Sequence, residues 1–173
     1  MKDITAEQAR ESSKAMLKNA TEDFLNIQER AANLKKRWDE SNEIFYELDS
    51  LGSSIFGDKE GVKLSEKQKT RTSELRKEWR NRVKEDKLVL QKINVDLSRY
   101  VGNLYRFYKS LSVRKRRYFN EMDIEDIRKK YAMLIMAYSF HNHMTLHLPS
   151  DYMKWIGFKY NAGWNYNGVN YGR

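Results

Sequence analysis

The chain contains no cysteine and a single proline, Pro149. The first absence excludes disulfides, thiolate zinc sites and cysteine nucleophiles, and it fits a reducing compartment. The second, with glycine sparse before the last fifteen residues, leaves long helices free of breakers. No run approaches the ~20 apolar residues of a membrane span. The opening residues MKDITAEQARESSK lack the apolar core of a signal peptide. A soluble, intracellular or virion-assembled protein with no membrane association is expected. A phosphate-binding glycine loop, GxSxG and HExxH are also missing.

What the chain has is charge. Of 173 residues, 33% are charged and 40% hydrophobic, and the net charge is +9. That apolar share suits helices with one buried stripe better than a thick globular core. Residues 1–51 carry 8 basic and 11 acidic side chains, 52–112 carry 15 and 8, and 113–173 carry 10 and 5. Signs alternate along most of the chain, as in helices that pair through opposite charge. The excess of cations also suits a polyanionic partner.

The apolar pattern predicts an all-α fold. Thr5-Ala6-Glu7-Gln8 has the capping-box spacing and opens a first helix over about 5–51. Its stripe runs Phe24, Ile27, Ala31, Leu34, Trp38, Phe45, Leu48, alternating three and four with one gap of seven. Gly52-Ser53-Ser54 breaks it, and residues 52–64 form a loop in which Ile55 and Phe56 tuck against the helix ends. Ser65-Glu66-Lys67-Gln68 repeats the box and opens a second helix over about 65–112. Its stripe is Leu75, Trp79, Val83, Leu90, Ile93, Leu97, Val101, Leu104, Tyr108, Leu111. Two long helices joined by a short loop are expected to form an antiparallel hairpin, with Trp38 and Trp79 at about the same level.

Residues 112–119, SVRKRRYF, read as an exposed turn. Asp123 caps a third helix over about 124–141, with Glu125 and Asp126 in its first turn. Its run YAMLIMAYSF is apolar all round, which predicts burial on several sides against the aromatic end of the second helix. Pro149-Ser150-Asp151-Tyr152 restarts a short helix through Ile156. Residues 1–158 are expected to form one elongated helical domain, followed by an extended arm over 159–173.

That arm, after Lys159, is YNAGWNYNGVNYGR: four Asn, three Gly, three Tyr, one Trp and one charge. Glycine and asparagine disfavour helix, while disordered tails are poor in aromatics. Tyr and Trp bury large area at low entropy cost, and Asn and Gly supply adaptable hydrogen bonds. The composition suits a segment laid on another protein, as an added strand, with Tyr160, Trp164 and Tyr166 along one face. Trp155, Phe158, Tyr160, Trp164, Tyr166 and Tyr171 are the candidate partner-binding residues. Folding back onto the chain's own helices is the competing expectation.

The second candidate surface is basic. Arg114-Lys115-Arg116-Arg117, followed by Tyr118-Phe119, combines phosphate-binding cations with rings that stack on bases. Arg76, Lys77, Arg80, Arg82 and Lys84 extend it, but they spread round their helix with Glu74, Glu78 and Glu85 among them. His141, His143 and His147 invite a metal reading; on a helix the first two point about 200° apart, and no acidic residue lies in the run to complete a site. They are taken as the end of a buried helix, with no metal and no cofactor. Pairs such as Glu125 and Asp126 lie on charged helix faces, and no catalytic residue is assigned.

In layout, a helical bundle with a gripping tail, the chain is similar to ring and connector components of viral particles such as head-to-tail adaptors. The resemblance concerns shape and transfers no residue. It implies a non-enzymatic subunit that forms a homo-oligomer and holds a neighbour or another protein with its arm. The alternative is a nucleic-acid-binding accessory protein using residues 114–117.

Overall fold

The computed structural model describes residues 5–120, 124–139, 145–157, 165–166 and 169–170. The fold is all-α, built on two long helices, α1 (Ala6–Ser50) and α2 (Glu66–Ser110), that pack together. Shorter helices follow: α3 (Val113–Asn120), α4 (Ile124–Ser139) and α5 (Ser150–Trp155). Both predicted capping boxes form. The Thr5 amide donates to Gln8 Oε1 at 2.9 Å while the Gln8 amide donates to Thr5 Oγ1 at 3.2 Å. Ser65 and Gln68 repeat the exchange at 2.9 and 3.3 Å. Each box satisfies two amides that the first turn leaves without helical partners.

The chain divides into two compact units, residues 1–30 with 92–173, and residues 31–91. Each long helix contributes to both. In the first unit the α1 stripe Leu17, Ala20, Phe24, Ile27 and the α2 stripe Ile93, Leu97, Val101, Leu104 are buried. α4 adds Ile124, Ile127, Tyr131, Leu134 and Ile135, and the end of the chain's helical part adds Leu146, Leu148, Met153, Trp155 and Ile156. Each such aliphatic side chain contributes roughly 1.5–3 kcal/mol of apolar burial. Tyr131 meets Phe24 of α1 edge to face, with ring centroids 5.2 Å apart.

α4 corrects its expectation. Met133 is 62% exposed and Ala137 is also exposed, so this helix buries one face rather than several. Its apolar run is longer than the stripe that the core accepts. Residues 112–119 differ too: most of that stretch is α3, a helix beside α4 rather than a turn. Asp123, the expected cap of α4, lies outside the described residues.

The second unit is the loop end of the hairpin. Ile44, Leu48 and Leu75 form its core, with Leu51, Ile55 and Trp79 packed against them. Ion pairs mark the antiparallel register: Arg37 Nη2 lies 2.8 Å from Asp86 Oδ1, and Arg71 Nε lies 2.6 Å from Glu47 Oε1. With Arg37 level with Asp86, Trp79 falls beside Phe45, their centroids 5.8 Å apart, and not level with Trp38 as expected. The core position of α1 here is Ile44, and Phe45 sits at the edge.

Each stripe has one gap of seven, and a buried polar residue fills each. Ser41 stands between Trp38 and Phe45 and donates to the Arg37 carbonyl at 3.0 Å. Asp86 stands between Val83 and Leu90, with 2% of its side chain exposed. A polar layer inside an apolar seam specifies register at a cost in stability.

The connecting loop is tied together. Ser53 pairs with Asp58 as an isolated antiparallel bridge, and the Lys59 amide donates to the Gly52 carbonyl at 3.0 Å. Gly52 has φ +75°, and a Cβ there would stand 2.8 Å from Val62 Cγ1. Ile55 packs on the core as expected. Phe56 does not: it is 94% exposed at the loop's apex. The hydrogen bonds that close the turn draw the backbone of Ser54 and Gly57 together and leave the ring outside.

Candidate functional site

Of the six arm residues picked from the sequence, Trp155 is the one whose side chain is described, and it belongs to the interior. It is 9% exposed. Tyr105 meets its ring at 5.5 Å and Tyr108 at 5.7 Å between centroids, and the Arg128 guanidinium stacks over it at 5.0 Å. Arg128 Nε also donates to the Trp155 carbonyl at 2.7 Å, and its Nη1 binds Glu125 at 2.8 Å. That carbonyl ends α5, where a cation is favourable. Trp155 thus joins α2, α4 and α5 and is not free to anchor a partner.

Tyr166 lies in a two-residue strand, β1 (Asn165–Tyr166), paired antiparallel with β2 (Val169–Asn170). Asn165 faces Asn170 and Tyr166 faces Val169. The arm therefore includes a ladder within itself where one continuous strand was expected. Asn167-Gly168, the pair between the strands, is the strongest short hairpin signal. Phe158, Tyr160, Trp164 and Tyr171 lie outside the described residues.

The basic run 114–117 separates into different roles. Arg116 closes the end of α2. Its Nε donates to the Leu111 carbonyl at 3.1 Å and the Tyr108 carbonyl at 3.3 Å, and its Nη2 to the Lys109 carbonyl at 3.2 Å. These are carbonyls that a helix C-terminus leaves unsatisfied. The same guanidinium stacks over Tyr108 at 5.3 Å. Arg114 is exposed and Lys115 half-buried. The side chains of Arg117 and Tyr118 lie outside the described residues. A cation committed to three backbone carbonyls has little left for phosphate.

His147 is exposed, and its amide donates to Asn94 Oδ1 at 3.1 Å. Asn94 Nδ2 donates in turn to the Thr145 carbonyl at 3.1 Å. One buried amide thereby holds the extended segment that inserts Leu146 and Leu148. His141 and His143 lie outside the described residues. Among the described residues no three His, Asp or Glu side chains gather to hold a metal. None of the described helices is long and apolar enough to cross a membrane.

A cavity of about 290 Å³ opens between α1 and α2 in the first unit. Met16, Ala20 and Leu104 give it apolar wall; Asn19, Asn103, Asp23, Tyr100 and Arg106 give it polar groups. Burial pushes the Asp23 carboxyl up, Arg99 opposes this, and Glu22 adds to it. Arg106 is engaged with Asn103 Oδ1 at 2.7 Å and the Tyr152 hydroxyl at 3.4 Å. Burial likewise pushes the Tyr131 phenol above its usual range. The cavity is lined by one carboxylate, Asp23, and one phenol, Tyr100, with no histidine, serine or lysine among its described lining residues.

The second unit sorts the α2 cations, separating Lys77, Arg80 and Lys84, and with them Lys87, from the paired Arg76 and Arg82. On α2, Arg76 is held by Asp58 at 2.7 Å and Arg82 by Glu78 at 2.7 Å. Glu74 lies 3.8 Å from Arg71, and Glu85 and Asp86 lie against Arg37. Lys77, Arg80, Lys84 and Lys87 are all exposed and take part in none of these pairs.

No protein-family model matches the chain, and no curated protein or solved structure is significantly similar to it.

Proposed function

We propose that the protein is a non-catalytic helical assembly subunit that acts through contact surfaces, forming a homo-oligomer and gripping a neighbour with its C-terminal arm. A ring or connector component of a viral particle is the particular assembly that its layout suits. The observation that supports this most is Phe56. Its loop is tied by Arg76, whose Nε donates to the Ser54 carbonyl at 2.8 Å and whose Nη2 binds Asp58 at 2.7 Å. The ring at the apex is 94% exposed. A large aromatic held out on an ordered loop loses little entropy on docking, which is how interface anchors work. Tyr46, 74% exposed on α1, adds to the apolar surface of the same unit.

Native mass tests this in low and high salt. A defined oligomer that survives high salt is expected, and Phe56→Ser is expected to shift it toward smaller species without loss of helix. Truncation after Phe158 is expected to keep the helical content and abolish assembly. A full-length monomer at all salts, or a truncation that unfolds the body, overturns the proposal.

A second reading, a nucleic-acid-binding accessory protein, is favoured by the exposed cations of α2 that pair with no carboxylate among the described residues, rather than by Arg114–Arg117.

A further inference from the structure

We infer that Lys77, Arg80, Lys84 and Lys87 form a binding surface for the phosphate backbone of nucleic acid. The inference goes beyond the assembly reading and does not depend on it. Their spacing of three, four and three places all four on one flank of α2, within an arc of about 80° at 100° per residue. All are exposed. The stripe is about 15 Å long at 1.5 Å per residue. That length spans roughly four phosphates of one duplex strand at about 3.4 Å each.

What makes this a surface is the sorting of charge. Read along the chain, the stretch 74–87 mixes acids with bases. In the fold, Glu78 turns to Arg82, Glu74 to Arg71, and Glu85 and Asp86 to Arg37. The acids turn toward arginines outside the stripe, with Arg37 and Arg71 each shared between two carboxylates, and no carboxylate between 74 and 87 falls within the arc of the four cations. Four cations this close, unpaired among the described residues, repel one another and gather counterions, which a polyanion displaces.

The groups around the cations favour nucleic acid over an acidic protein surface. Ser73 and Gln91 are exposed on the same flank, four residues before Lys77 and four after Lys87, and exposed Asn81 borders it about 40° away. Short hydroxyl and amide side chains beside Lys and Arg are the usual donors to phosphate oxygens. Protein interfaces instead centre on a buried aromatic anchor, and the flank has no aromatic side chain. Contacts of this kind position a backbone and carry no sequence preference.

The test is fluorescence anisotropy with a labelled duplex of about 20 base pairs and mixed sequence, and with a single-stranded RNA of the same length. Four phosphate contacts give a log–log salt slope of about −3.6 for the duplex and about −2.8 for the single strand. Raising salt from about 50 to about 200 mM should then weaken duplex binding about 150-fold. The variant Lys77→Gln, Arg80→Gln, Lys84→Gln, Lys87→Gln should lose the binding at unchanged helix content and native mass. The charge-keeping variant Lys77→Arg, Arg80→Lys, Lys84→Arg, Lys87→Arg should retain it. If the four-fold neutral variant does not fold, Lys84→Gln alone should lower the duplex slope by about 0.9. Three outcomes overturn the inference: no binding of either probe at the lowest salt, wild-type binding by the neutral variant, or polyglutamate of equal charge competing as well as the duplex. The last would assign the stripe to an acidic protein.

Discussion

The hydroxyl end of Tyr152 packs closely against α2 at Gly102: a Cβ at that glycine would stand 3.0 Å from the Tyr152 hydroxyl oxygen and 3.1 Å from Cε2. Tyr105 holds the ring from the side at 5.4 Å between centroids, and Arg106 reaches its hydroxyl. The glycine is therefore a close-approach site inside a helix, where it otherwise costs about 1 kcal/mol relative to alanine. Gly102→Ala should destabilise the wild type by about 1 kcal/mol through overpacking. In a Tyr152→Ala background the same change should stabilise by about 1 kcal/mol, because only the helix preference remains. Chemical denaturation of the four proteins gives the coupling. A Gly102→Ala variant that gains stability with Tyr152 present would show that the ring is free to move aside.

Asp86 is the polar residue of the second unit's seam, and burial raises its carboxyl above the ordinary value while Arg37 opposes that rise. Arg37 Nη2 is at ion-pair distance, yet Oδ1 has no well-directed hydrogen bond among the described residues. A carboxyl with a raised folded pKa contributes stability below its unfolded pKa and loses it as pH rises through the folded value. Asp86→Asn should thus stabilise the protein at pH 7 by about 1 kcal/mol, with the gain shrinking toward pH 4. Urea midpoints of both proteins at the two pH values check this. A loss at pH 7 would mean that the Arg37 pair outweighs the cost of burying the charge.

The architecture was legible because long helices advertise themselves. Both capping boxes form as written, and the α2 stripe from Ile93 to Leu104 is buried as read. The gap of seven in each stripe was also visible, but Ser41 and Asp86 could not be seen as its occupants. A polar residue at a seam position looks in sequence like any other charged face. The same ambiguity hid the basic flank of α2, since which carboxylate pairs with which arginine depends on the partner helix. Arg37, 41 residues before Glu78 and 49 before Asp86, takes Glu85 and Asp86 rather than Glu78. Trp155 was grouped with the aromatic arm by composition, and its burial against Tyr105 and Tyr108 is a long-range fact. Residues 112–119 were read as a turn because their stripe fails, yet Arg116 folds back to close α2 and the chain continues as α3.

Asn94 is 8% exposed and spends its amide in two directions, donating to the Thr145 carbonyl and accepting from the His147 amide. Nothing else of similar shape can do both. Asn94→Ala would leave two partly buried backbone groups without their partner and should cost about 1–2 kcal/mol. Asn94→Asp keeps the shape and the acceptor but loses the donor and buries a charge. Its carboxyl would be pushed up by burial, so this variant should be more stable near pH 4 than at pH 7 relative to wild type. Thermal melts at both pH values would show it, and equal destabilisation at the two would mean that the position is open to water.

Arg76 ties the loop that carries Phe56, and Asp58 is its acidic partner. Hydrogen bonds from Arg76, and then from Ser53, hold the Asp58 carboxyl below its ordinary value. A lowered carboxyl supports the fold above its unfolded pKa and stops doing so as pH falls through the folded value. Loop order should therefore persist at neutral pH and through the ordinary carboxylate range, and fail only as pH falls below that range. Arg76→Gln removes the charge and the paired donors, leaving the Ser54 carbonyl without its donor and Asp58 with the Ser53 hydroxyl as its remaining described partner. Amide exchange should then quicken at Ser54 and Lys59, whose N–H groups donate to Gly57 and Gly52 in the closed loop. Amides in the middle of α1 and α2 should keep their protection. If Phe56 anchors an assembly, the same variant should weaken the oligomer without removing the ring, because a floppy loop must be ordered on docking. Unchanged loop exchange in Arg76→Gln would mean that the Ser53–Asp58 bridge holds the loop unaided.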